Sequence, residues 1–263
     1  YLQLEVLESS VLTDIHTVSS IIGTCRNGLG VRIALDDFGT GYSSLSHLRH
    51  LPVDVIKIDQ SFVRDIMDDP NDFTIVEGVI GLSHAFQHQV IAEGVESIEH
   101  GLMPLTIGCD MAQGYVIAQP MPADKLSQWM QDYQPEIRWL NHARNSLSPQ
   151  QRLLALMQMQ GEQWLQRVIA NLHSSPAEII NWPLMNPKRS HFTHWLEQGK
   201  QEELFNQFWL DRLKLAYYEL FHAAAGLRNQ FEENETESAR KGIADLQKLY
   251  AEVQTILASP SQW

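Results

Sequence analysis

Through residue 130, short apolar runs rich in β-branched residues alternate with stretches of helical periodicity, and this alternation restricts the fold more than any other feature of the chain. The runs are Leu2–Val6, Val31–Leu35, Val53–Ile58, Val90–Ala92 and a weaker one near Cys109–Ala112. Between them Leu12, Ile15, Val18, Ile21 and Ile22 fall on one helix face, as do Ile75, Val79 and Leu82. Strands alternating with helices in this way predict parallel strands with crossover helices, since a crossover is what returns the chain to the start of the next parallel strand.

Parallel α/β folds carry their chemistry at the carboxyl ends of the strands. Here those ends read Glu5, Asp36-Asp37, Lys57 to Asp59, Glu93 to Glu96, and Gln113. Any one of these could simply cap the helix that follows it. Five in succession aim carboxylates, a lysine and an amide at one rim. Asp36 and Asp37 are adjacent oxygen donors of the kind that hard divalent ions take. Lys57 ends an apolar strand, where burial and nearby carboxylates pull its pKa in opposite directions. Such a set suits one or two divalent ions, which activate water and neutralise developing negative charge.

Charge narrows the choice of partner. Residues 1–130 hold 6 Lys/Arg against 17 Asp/Glu, whereas residues 131–263 hold 13 against 15. DNA and RNA are bound by basic faces, so neither is an expected partner, and phosphate chemistry in so acidic a half calls for metal. Two cysteines, Cys25 and Cys109, cannot make a disulfide framework and read as core thiols. No apolar run approaches the roughly 20 residues of a membrane span, and Tyr1 to Ser10 reads as a strand, not a signal peptide. The expected location is the cytoplasm, with room for a membrane tether elsewhere in a parent protein.

After residue 133 strand signals give way to long amphipathic helices, and all seven tryptophans lie at or beyond Trp129. Ser148-Pro149 followed by Gln151 marks a helix start, with serine as N-cap and proline at the first helical position. Further helices are predicted from about Pro187 to Gln198, from about Glu202 to Phe231, and beyond Asn234, read as a cap with Glu237 three residues on. The expected organisation is an α/β domain over 1–132, a linker over 133–147 marked by Pro135, Asn141 and Asn145, and a four-helix bundle over 148–260.

The segment Asp36-Asp37-Phe38-Gly39-Thr40-Gly41-Tyr42-Ser43-Ser44-Leu45 resembles the loop signature of EAL-family cyclic di-GMP phosphodiesterases. Leu4-Glu5-Val6-Leu7-Glu8, Ile56-Lys57-Ile58-Asp59, Ala92-Glu93-Gly94-Val95-Glu96 and Ala112-Gln113-Gly114-Tyr115 accompany it in the family's order and spacing. The resemblance implies the C-terminal part of an EAL domain, a partial TIM-like (β/α) barrel, that cuts cyclic di-GMP to linear pGpG with two Mg²⁺ or Mn²⁺ ions. It implies Glu5, Asp36 and Asp37 as metal ligands, Glu93 as a ligand directly or through water, and Lys57 and Glu93 as catalytic groups, with Lys57 as base or electrostatic anchor. Asp36, Glu96 and Gln113 become substrate contacts. Glu8 braces the loop, and Gly39 and Gly41 allow it positive φ, with Leu7 where the family usually has threonine. A homodimer and an upstream diguanylate cyclase (GGDEF) or sensory domain would be usual partners. The family's Glu-Ala-Leu motif and the asparagine ligand after it have no match here, so the chain is expected to be a fragment that cannot complete the metal site alone. The alternatives are a receptor that binds cyclic di-GMP without cutting it and a pure signalling or oligomerisation module.

Residues 150–260 resemble the chemoreceptor zinc-binding (CZB) bundle through Trp164, Phe192-Thr193-His194-Trp195 and His222. Three of that family's four ligand positions become Glu162, Ser190 and Tyr218, which leaves His222 and makes zinc unexpected; His191 and His194 could form a different site with it. The implied role is a regulatory or oligomerisation bundle that has lost its metal.

Overall fold

The computed structural model describes residues 2–11, 15–41, 48, 51–144, 147–175 and 180–260. Leu12, Tyr42-Ser43-Ser44-Leu45 and Asn145, used above, lie outside the described residues. The chain divides into two compact units, one of residues 1–66 and 71–146, the other of residues 67–70 and 147–263.

Five strands build the first unit: β1 (Gln3–Leu7), β2 (Arg32–Phe38), β3 (Val55–Ile58), β4 (Gln89–Ala92) and β5 (Met111–Ala112). They pair in sequence order, every pair parallel, as consecutive strands of a barrel do. All four residues of the central β3 are buried, including Lys57, so its apolar run reflects cover on both faces. The described crossover helices are α1 (Glu8–Val11), α2 (Ile15–Leu29), α3 (Gln60–Asp65), α4 (Pro70–Ala85) and α5 (Ile98–Thr106). The strand expected over Tyr1 to Ser10 stops at Leu7, and Glu8 begins a helical turn. Cys109 is buried, but Cys25 is only half-buried.

At the amino-terminal rim, two aspartates stitch the sheet. Asp54 accepts from the Ile33 backbone N–H, and Asp110 accepts from that of Val90, both at 2.9 Å. Each aspartate precedes its own strand and ties it to the one before, satisfying a donor that the ladder leaves open.

The segment expected to be a linker carries structure. After α6 (Ala123–Asp132) the chain forms α7 (Ile137–Arg144), and the first unit runs on through residue 146. An eight-residue helix is marginal by itself. It persists because Trp139 Nε1 donates to the Ile98 carbonyl at 3.0 Å and Arg138 pairs with Glu99 at 2.9 Å.

The described regular structure of the second unit is helical: α8 (Pro149–His173), α9 (His191–Gln201), α10 (Gln207–Glu232), α11 (Thr236–Lys241) and α12 (Ile243–Leu257), with residues 180–186 irregular. Ser148 and Gln151 form a reciprocal capping box at the start of α8, as the sequence predicts. Trp164 stacks on Phe221 with centroids 4.5 Å apart, Tyr250 donates to the Gln158 carbonyl, and Trp209 Nε1 donates to that of Ile256. These contacts draw α8, α10 and α12 onto one core.

Three expected boundaries need correction. Pro187–Arg189 is a 3₁₀ turn, and α9 begins only at His191, because Ser190 is extended. The next helix starts at Gln207 with Asn206 as N-cap, not near Glu202. Asn234 does not cap a following helix. It stands in the left-handed region at φ 66° and closes α10 in a Schellman motif, with Glu235 N–H donating to the Gln230 carbonyl and Asn234 N–H to that of Phe231.

Candidate active site

Strand β2 loses its regular register where its chemistry begins. Leu35 pairs with Ile56 and the next pair is Phe38 with Ile58, so Asp36 and Asp37 together oppose the single residue Lys57. In a regular strand, neighbours project to opposite faces. A bulge breaks that alternation. Asp37 completes it with φ 54°, a left-handed conformation that aspartate tolerates better than most residues. The carboxylate oxygens of Asp36, Asp37 and Glu93 consequently lie within 4.8 Å of one another, the one such cluster of three or more potential ligands among the described residues.

Lys57 ties three strands together at this point. Its Nζ lies 2.8 Å from Asp36 Oδ1, 2.9 Å from Glu93 Oε1 and 3.1 Å from Glu5 Oε1, with 5% of its side chain exposed. Burial disfavours the ammonium, but the hydrogen bonds it donates to Asp36, Glu93 and Glu5 outweigh it and hold the Lys57 pKa well above its usual value. For Asp36, burial opposes ionisation, yet the hydrogen bond and charge of Lys57 prevail and its pKa falls. Glu93 goes the other way: burial, with the charge of Asp36 beside it, exceeds the help from Lys57. Asp37 is also raised, by burial and then by the charges of Asp36 and Asp59.

The loop after β2 is fixed from beneath. Glu8 is buried, and its Oε2 accepts the backbone N–H groups of both Gly39 and Gly41 at 3.0 Å. Gly39 has φ 105°, and a Cβ there would lie 2.9 Å from Phe62. Gly41 does not share the positive φ expected of it. What it needs is space, since a Cβ would lie 2.9 Å from the Glu8 carboxylate carbon.

A cavity of about 420 Å³ opens beside the cluster, lined by Asp37, Gln60, Glu93, Glu96, Gln113 and Tyr115 among others. Glu96 and Gln113 are exposed, as is Tyr115 at 64%. The Val95 N–H donates to the Gln113 carbonyl at 3.0 Å, and Gly114 packs so closely on Val95 that a Cβ would come within 2.2 Å of its backbone. This contact fixes the two lining loops against each other.

The structure therefore brings together Asp36, Asp37, Glu93 and Lys57, and it puts Glu96 and Gln113 on the cavity wall. Glu5, with 48% of its side chain exposed, reaches the group through Lys57 but is not in the three-carboxylate cluster. Sequence reasoning left out Asp59, Gln60 and Tyr115 as site residues. Asp59 and Tyr115 sit inside strings already singled out, whereas nothing in the sequence distinguishes Gln60. His191 is buried against Trp195 and His222 is exposed.

Four carboxylates face one ammonium here. Hard oxygen donors with excess negative charge suit a hard divalent cation, and Asp36, Asp37 and Glu93 could hold one.

Residues 1–120 match the family model of the EAL domain. Among curated proteins, the chain is 43% identical over 129 residues to the Pseudomonas aeruginosa cyclic di-GMP phosphodiesterase PA2567, covering 49% of this chain and 22% of that protein. It is 40% identical over 132 residues to the Escherichia coli cyclic di-GMP phosphodiesterase PdeR, covering 50% and 20%. The chain thus spans about a fifth of the length of these relatives. Among solved structures, the EAL domain of Mycobacterium smegmatis DcpA is 42% identical with a TM-score of 0.47, over 51% of this chain and 60% of that one.

Proposed function

We propose that residues 1–132 are the C-terminal part of an EAL domain, and that the protein carrying them hydrolyses cyclic di-GMP to linear pGpG with divalent metal. One observation carries this reading: the bulge that sets Asp36 and Asp37 opposite Lys57 gathers them with Glu93 at the mouth of a cavity. A bound cation supplies charge neutralisation on the phosphate and a more acidic water. Asp36, Asp37 and Glu93 hold it, and Glu5 sits across Lys57 from it.

The remaining residues fit the substrate. The cavity is within the size range of small-ligand sites. Glu96 and Gln113 present an acceptor and an amide suited to a guanine edge, and Tyr115 offers a flat face for stacking. Lys57, held as the ammonium, acts as an electrostatic anchor for the carboxylates and the phosphate. Residues 148–260 form a regulatory four-helix bundle of CZB type that keeps only His222 of that family's four zinc ligands.

Calorimetry of the 263-residue chain with cyclic di-GMP, with and without Mn²⁺, tests the reading. Metal-dependent binding that Asp36→Asn abolishes supports it; equal binding without metal, or none, overturns it. Since the Glu-Ala-Leu glutamate and its following asparagine have no counterpart in the sequence, binding without turnover is expected of this chain alone. Linear product from it would refute that point.

A further inference from the structure

Glu96 lies in a two-residue span between anchored positions. On one side Val95 is held from both directions, its N–H donating to the Gln113 carbonyl and its carbonyl accepting from the Val116 N–H at 3.2 Å. On the other side is Ile98, first residue of α5, whose carbonyl accepts from Trp139 Nε1. Arg138 grips the next residue, Glu99, at 2.9 Å, and is itself held by Glu136 at 3.2 Å. The indole lies against the helix because residue 101 is glycine: a Cβ there would lie 3.0–3.1 Å from three Trp139 ring atoms.

We propose that Trp139 is a positioning residue for the nucleotide cavity: by holding the first turn of α5 it fixes the Val95–Ser97 span, and with it Glu96. Trp139 lies outside residues 1–120, so the family match assigns it no role. The proposal rests on the cavity being a nucleotide site only in its affinity arm; the mechanical part stands on the contacts alone. Asp36 and Asp37 belong to β2, and Glu93 is held from β3, its N–H donating to the Ile58 carbonyl at 3.3 Å and its carboxylate paired with Lys57 at 2.9 Å, so nucleotide binding and metal binding should separate.

The test compares Trp139→Phe, which keeps a ring and loses the N–H, Trp139→Ala and Gly101→Ala with the parent 263-residue chain. Amide hydrogen exchange is read at Val95 and His100, whose N–H donates to Ser97 Oγ, against Leu35 and Ile56 as internal references. Exchange at Val95 and His100 should speed about tenfold in Trp139→Ala, the equivalent of one buried hydrogen bond, less in Trp139→Phe, with the references unchanged. Cyclic di-GMP affinity in Mn²⁺ should fall by a similar factor while affinity for Mn²⁺ alone holds. Unchanged exchange at Val95 overturns the proposal, as does equal acceleration at the references, which would mean general loosening. If Trp139→Ala fails to fold, Trp139→Phe and Gly101→Ala decide by the same criteria. Failure of the parent chain to bind cyclic di-GMP counts against the proposed function, and the exchange measurement still decides this one.

Discussion

Lys57 Nζ lies 2.8 Å from Asp36 Oδ1, at the point where β2 bulges to set two aspartates opposite one lysine. The ammonium is what allows Glu5, Asp36 and Glu93 to converge. Lys57→Met keeps the length of the side chain and removes its charge, leaving the half-buried Asp36 and Glu93 without a counter-ion. Removing one partner of a fully buried ion pair costs about 3–5 kcal/mol, and the partial exposure of these carboxylates lowers that cost. The metal-free Lys57→Met chain should therefore unfold at markedly lower denaturant concentration, and Mn²⁺ should recover more stability in it than in the parent, because the cation takes over neutralisation. Denaturant titrations with and without Mn²⁺ check both statements; an unchanged midpoint in metal-free buffer would contradict the first.

Glu8 makes a second prediction. One buried carboxylate oxygen accepts two backbone N–H groups of the loop that follows Asp37. Glu8→Ala leaves both donors without that acceptor, at about 1–3 kcal/mol for each unsatisfied buried group. A loss of about 3 kcal/mol is expected, with weaker Mn²⁺ binding because the loop sets Asp37. Glu8→Gln keeps an acceptor of the same shape and should lose less than half as much.

These two sites differ in how far the sequence discloses them. The order of strands and the polar residues at their ends are readable because strand periodicity and composition are local properties. The bulge at Asp36-Asp37 is not, since register depends on how β3 is held against β2, and it alone explains how neighbouring carboxylates share a face. Helix α7 is hidden for a similar reason: Pro135 and its eight-residue length look like linker, and its stability comes from Trp139 and Arg138 meeting α5. Asn234 shows the limit from another side. Asparagine favours both N-caps and left-handed C′ positions, and the spacing to Glu237 supports the wrong choice. Ser148, whose capping box is complete within four residues, is legible in full.

Two histidines of the sheet unit set a pH dependence. Burial lowers the pKa of His88 below its ordinary 6.5, against the Val53 backbone and Asp54. Burial does the same to His100, against Glu96, Glu99 and Asp65, and its Nδ1 is buried with no hydrogen-bond partner. A base whose folded-state pKa is depressed binds protons first in the unfolded state, so stability rises with pH across that window. The sheet unit should lose stability as pH falls below about 6.5, and His88→Gln with His100→Gln should flatten that slope. The raised pKa values of Asp37 and Glu93 act in the opposite sense, but nearer the carboxylate range. Thermal unfolding between pH 5.5 and 7.5 measures the slope, and an equal slope in the double variant would rule the histidines out.

Helix ends supply a graded test that involves no ligand. Gln87, Glu203 and Asn234 all stand at positive φ, at 63°, 53° and 66°. Each follows a helix as the left-handed residue of a Schellman motif: the His88 N–H reaches the Ser83 carbonyl at 2.8 Å, Leu204 reaches Gly199 at 2.9 Å, and Glu235 reaches Gln230 at 2.8 Å. Glycine adopts this conformation without steric cost but loses more entropy on folding, and asparagine tolerates it better than glutamine or glutamate does. Gln87→Gly and Glu203→Gly should therefore stabilise their own units by about 1 kcal/mol, while Asn234→Gly gains only a few tenths. The ordering is the informative part, because all three substitutions remove an exposed polar side chain and differ mainly in the residue each starts from. If Asn234→Gly stabilised as much as Glu203→Gly in denaturant titration, relief of left-handed strain would not be the cause.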